Sequence, residues 1–153
     1  MFRILRAFNR FMTEHLFLPI ALSTFLSLGL FAGRVFLSGQ PAVHRNLVWN
    51  VFLAWLPYVF SLAAALFYRI SHRWGWLLIL PTGFLWLIFF PNAPYIVTDF
   101  LHLREYPGIP LWYDILLMFA FTWTGIFLAI ASLRTMQWLV RRYLGWLLSL
   151  IHI

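Results

Sequence analysis

Charged side chains are so unfavourable in hydrocarbon that their absence over long runs is the strongest constraint this sequence carries. Residues 16–33, 46–68, 74–98 and 115–133 contain no Asp, Glu, Lys or Arg. A helix crossing a bilayer needs about 20 apolar residues, with a range of about 17–25, and all four runs meet it. A transmembrane barrel would instead alternate polarity over segments of about ten residues, and no such alternation occurs. The predicted fold is therefore all-α: a polytopic transmembrane helix bundle with four spanning helices and an N-terminal amphipathic segment. The spans are expected near 16–36, 47–68, 74–97 and 112–133.

Composition excludes the soluble alternatives. Of 153 residues, 63% are hydrophobic and only 10% charged, against roughly 45–50% and about 25% in soluble domains. A small globule cannot hide so much apolar surface. A soluble enzyme, a disordered segment and a secreted disulfide scaffold are all ruled out. With no Cys, there is no thiol nucleophile and no Cys-based metal site.

The net charge of +7 comes from 11 basic and 4 acidic residues, and every basic residue is Arg. These arginines sit at the ends of apolar runs and form no single patch, which argues for lipid headgroups and topology control and against nucleic acid. With four spans, Arg3, Arg6, Arg10, Arg69, Arg73, Arg134, Arg141 and Arg142 fall on one side, and Arg34, Arg45 and Arg104 on the other. The positive-inside rule then places both tails in the cytoplasm. Tyr68, Trp74 and Trp76 bracket the inner loop, and Tyr95, Trp112 and Tyr113 the outer one, as interfacial aromatics should.

Residues 1–15 place Arg3, Arg6 and Arg10 on one helical face, predicting an in-plane cytoplasmic amphipathic segment. The membrane domain is expected over 16–147, with 134–146 forming a second interfacial segment or the lead-in to another span. Residues 148–153 read LSLIHI. The sequencing-adaptor string CTGTCTCTTATACACATC translates to these residues in one frame, so this tail is expected to be adaptor-derived and the chain to be truncated.

Three motifs occur in order: NLVWNVFLAWLPY at Asn46–Tyr58, PNAPYIVTDFLHL at Pro91–Leu103, and WYD at Trp112–Asp114. Together they resemble a bacterial inner-membrane family known as domain of unknown function number 1361, over roughly residues 40–145. The resemblance implies a polytopic inner-membrane protein that usually continues into further hydrophobic segments. It implies no reaction and no catalytic residue.

Pro91 and Pro94 lack an N–H and clash with the carbonyls of Leu87 and Phe90, so the third span is expected to break near its outer end. Asn92 can donate to the freed carbonyls. One reading is a discontinuous helix offering backbone dipoles to a ligand; the simpler one is a helix end closed by Pro and Asn. Asn46 and Asn50 share a face of the second span, for ligand coordination or for interhelical bonding with a residue such as Asn92. Asp99, His102 and Glu105 follow at three-residue intervals. They suit metal binding or acid–base chemistry less well than a solvated loop with ion pairs, such as Arg104 with Asp99 or Asp114. No metal site is expected. Asp114 opens the fourth span, where an acid complements the helix N-terminus. Gly29 and Gly33 form a weak GxxxG packing signal. Thr122 and Thr124 receive no role, and His15, His44 and His72 read as wet interface residues.

Polar groups thus gather at the outer side: Asn46, Asn50, Asn92, Asp99, His102, Glu105 and Asp114. The expected function is a small transporter or membrane-embedded binding component with its site at the outer ends of helices two to four. The alternatives are a membrane enzyme using Asp99 and His102 on a lipid-linked or periplasmic substrate, and a structural scaffold. The expected partners are the lipid bilayer, other membrane subunits and a small ligand of unknown identity, with no cofactor and no nucleic acid.

Overall fold

A computed structural model describes residues 16–39, 45–70, 75–102 and 109–151. The chain forms α1 (Phe17–Ser38), α2 (Arg45–Ile70), α3 (Trp76–Phe89), the single turn α4 (Asn92–Tyr95), a 3₁₀ segment (Ile96–His102) and α5 (Leu111–Ile151). Among the described residues there is no strand. Four stretches are long and apolar enough to cross a membrane: Phe17–Ser38, Arg45–Ile70, Leu77–Asp99 and Leu111–Tyr143. The fold is the all-α spanning bundle that the charge-free runs predict. The amphipathic segment 1–15, His15, His44, His72, Arg104 and Glu105 lie outside the described residues.

α5 is the central post. It packs along α1 and α2 and against α4 and the 3₁₀ segment, while α3 leans on α2. Buried residues make up 61% of the most apolar stretch of α5, but only 17% of that in α1 and 11% of that in Leu77–Asp99. The outer helices accordingly expose Leu22, Phe25, Leu26, Leu80, Phe84 and Leu87, a surface that suits hydrocarbon. Leu117, Met118, Phe121 and Leu128 of α5 are buried against Ile20, Leu47, Val51 and Tyr58. Small residues let the central helices approach: Ala54, Ala64 and Ala65 of α2 and Ala131 of α5 are all buried. In lipid there is little hydrophobic drive between helices, so this close packing supplies the cohesion.

Local chemistry sets the helix ends. Gly39 closes α1 in the left-handed region at φ 65° and returns its N–H to the Val35 carbonyl, the arrangement glycine favours at a helix C-terminus. The third span breaks where Pro91 sits, after Phe89, and restarts at Asn92. Pro57 and Pro81, by contrast, lie within α2 and α3 without ending them. α5 departs furthest from expectation. Instead of giving way to a separate segment after residue 133, it continues through Arg134, Arg141 and Arg142 for 41 residues, about 61 Å at 1.5 Å per residue. Charge ends a hydropathic run but not a helix, since Arg and Leu are both good helix formers.

Candidate functional site

α1 ends, α2 begins, the third span breaks and α5 begins at one end of the bundle. Both described acidic residues, Asp99 and Asp114, lie at this acidic end. Arg69, Arg134, Arg141 and Arg142 belong to the opposite, arginine-rich end.

Asp114 lies in the first turn of α5, and its carboxylate is gripped by Arg34 of α1. The Arg34 Nε–H donates to Oδ1 at 2.6 Å and Nη2–H to Oδ2 at 3.1 Å. Both residues are fully buried. Two parallel charge-assisted bonds are the strong form of this pairing. They also make a guanidinium tolerable below the surface, because the pair enters apolar surroundings without net charge. Asp114 thus stands in the first turn of its helix as expected and adds an interhelical pair that its spacing did not announce, while Arg104, its other expected partner, lies outside the described residues. Arg34 is a packing residue and not a loop charge.

The same junction is closed by Tyr113, whose hydroxyl donates to the Leu30 carbonyl at 2.9 Å. Any Cβ on Gly33 would stand 2.8 Å from that hydroxyl, whereas one on Gly29 would meet nothing. Only the second glycine of the GxxxG pair makes the close contact.

A second polar pair joins α2 to the broken span. The Asn50 amide donates to Asp99 Oδ2 at 2.8 Å, and both side chains are half-buried. Asn92 donates to the Phe89 carbonyl at 3.1 Å, closing the end of α3 just beyond the proline break. Asn50 therefore bonds to Asp99 and not to Asn92. Asn46 is exposed on the first turn of α2. The backbone of His102 closes the 3₁₀ segment, and Glu105 lies outside the described residues. Among the described residues, no three His, Asp or Glu gather as a metal site would require.

The broken segment can pack this deeply because α5 offers a glycine. A Cβ on Gly125 would stand 2.7 Å from the Ala93 carbonyl oxygen and 3.1 Å from Ile96 Cδ1, and Ala93 and Ile96 are both fully buried. Deeper in the bundle, Ser23 and Ser27 of α1 meet Thr124 of α5 through hydroxyl contacts of 2.7 and 3.0 Å. At the neighbouring residue, Trp55 of α2 donates to the Thr24 hydroxyl at 3.2 Å. Each of these α1 and α5 hydroxyls also has a backbone carbonyl or a hydroxyl neighbour, so no polar group among them is stranded. Removing the shared member with Thr124→Val should lower stability by about 1 kcal/mol, read as an earlier midpoint in a denaturing-detergent titration. Sequence reasoning gave Thr124 no role. The available signal was the four-residue spacing of Ser23 and Ser27, which puts two hydroxyls on one face of α1.

Over residues 49–153 the chain is similar to the family described as Protein of unknown function (DUF1361). No curated protein and no solved structure matches it.

Proposed function

Because the chain belongs to the family described as Protein of unknown function (DUF1361), which assigns no reaction, we propose its role from the site alone: a small transport or binding component of a bacterial inner membrane, working at the acidic end of the bundle. The N-terminus lies in the cytoplasm on this reading, and the acidic end faces outward. Arg34 strengthens the charge argument. Folded into the bundle against Asp114, it leaves only Arg45 and Arg104 as outer basic residues, against the eight inner ones.

One observation carries the proposal. Asp99 is half-buried, lies in the 3₁₀ segment that follows α4, and has one carboxylate oxygen held by Asn50. Its other oxygen takes no bond from a described residue. A positioned carboxylate with one oxygen unbonded by any described residue, where a membrane-capable stretch ends, is suited to a small cation or a cationic group on a solute. The test is the decay of an imposed proton or sodium gradient across vesicles containing the purified protein. Wild type should accelerate the decay, Asp99→Asn should remove at least about tenfold of that acceleration, and Asn92→Ala should weaken it. Decay equal to that of protein-free vesicles under both gradients would reject the carrier.

The scaffold reading has its own support, since the Arg34–Asp114 pair and the Ser23–Ser27–Thr124 contacts all serve to hold helices together. Under it, Asn50→Leu is the harmful change, and Asp99→Asn leaves behaviour intact. The enzyme reading, built on Asp99 and His102, gains least: the described partner of Asp99 is an amide, which passes no proton at ordinary pH.

A further inference from the structure

The arginine-rich end carries a feature that the acidic-end site does not use. Arg134, Gln137, Trp138, Arg141 and Arg142 line an open cleft of about 570 Å³ on α5. Their spacing of three and four residues places them on one face of a single helix. Arg134, Arg141 and Arg142 are all exposed. The Arg142 guanidinium carbon lies 5.7 Å from the Trp138 ring centroid. Trp138 is anchored in turn by an edge-on contact with Tyr68 of α2, ring centroids 5.5 Å apart. The cleft therefore has a fixed aromatic wall and three cationic arms.

No acidic side chain among the described residues is near enough to neutralise those arms, because Asp99 and Asp114 stand at the other end of the bundle. The whole chain has four acids for eleven arginines, so most counter-anions must come from outside the protein. The position of the cleft says from where. α5 is continuous with the most apolar span, and exposed Leu133 and Val140 flank the arginines. The surface is thus apolar next to the charge, as at the boundary between acyl chains and headgroups. Guanidinium forks match phosphate oxygens, and an indole beside them suits the headgroup level.

We propose that this cleft is a binding site for the phosphate of an anionic phospholipid headgroup, with Arg134, Arg141 and Arg142 as the phosphate ligands and Trp138 as the wall that orients Arg142. The lipid, and not a dissolved anion, is the occupant, because its tails would cover the neighbouring Leu133 and Val140. The proposal is independent of the function of the acidic end.

Native mass spectrometry of the full chain in mild detergent tests it, with phosphatidylglycerol and phosphatidylcholine titrated separately. Wild type should retain phosphatidylglycerol at least about tenfold more tightly, and each arginine replaced by glutamine should lose about fivefold of that preference. The triple variant Arg134→Gln/Arg141→Gln/Arg142→Gln should show almost no preference. Arg45→Gln, exposed at the opposite end, should keep the full preference and serves as the folded reference. If the triple variant does not purify as a folded monodisperse species, Arg141→Gln alone decides the matter by its fivefold loss. Equal retention of both lipids by wild type, unchanged preference in Arg141→Gln, or a loss in Arg45→Gln as large as in Arg141→Gln would overturn the site. Displacement of bound phosphatidylglycerol by inorganic phosphate at comparable concentration would overturn the lipid as its occupant, whereas lipid that resists such competition supports it.

Discussion

Replacing Arg34 by leucine should unfold this bundle more readily than any other single change on α1. The substitution leaves the Asp114 carboxylate fully buried without its two guanidinium bonds of 2.6 and 3.1 Å. Breaking a buried pair from one side is destabilising by about 3–5 kcal/mol, whereas replacing both partners by apolar residues is often nearly neutral. The double variant Arg34→Leu/Asp114→Leu should therefore recover most of the loss. Asp114→Leu alone should match Arg34→Leu, because it strands the opposite charge. The measurement is the midpoint of unfolding in mixed micelles titrated with a denaturing detergent, for the two single variants and the double. A double variant as unstable as the sum of the singles would mean that the pair acts through something other than mutual neutralisation.

Gly125→Ala is the second large expected effect. A new methyl at this position stands 2.7 Å from the Ala93 carbonyl oxygen, a backbone atom that cannot rotate aside as a side chain would. Overpacking of this kind is destabilising by about 1–3 kcal/mol. The strain falls on the short turn Asn92–Tyr95, which leads directly into the segment bearing Asp99, so the Asn50–Asp99 contact should loosen as well. Gly29→Ala provides the contrast. It also lies inside a helix, but its Cβ meets nothing, and alanine there should stabilise by up to about 1 kcal/mol through helix propensity. Opposite signs for the two substitutions in the same unfolding assay would establish that contact, and not helix propensity, governs position 125.

The spans were legible in the sequence because each is a run without charge, and hydrocarbon penalises charge whatever the packing. α3 ends just before Pro91, where the missing N–H places a stop, but Pro94 lies inside the following turn, and Asn92 bonds the Phe89 carbonyl and not those of Leu87 or Phe90. Partners were not legible. Arg34 lies one residue beyond the first charge-free run and reads as a loop cation by that rule. Only the fold brings it to Asp114, 80 residues away. The 41-residue length of α5 was hidden in the same way, since Arg134 ends an apolar run yet leaves the backbone ladder intact. Of the polar set at the acidic end, the fold joins Asn50 to Asp99 and sends Asn92 and Asp114 to other partners. Spacing along one helix says nothing about which neighbour that helix meets.

The guanidinium of α1 and the carboxylate that neutralises it are made far apart in time, because a ribosome adds only about 5–20 residues each second. For several seconds α1 carries a cation near its C-terminal tip whose carboxylate mate has not yet been translated. The final seating of α1 therefore waits for the first turn of α5, and couples the burial of one helix to the synthesis of another.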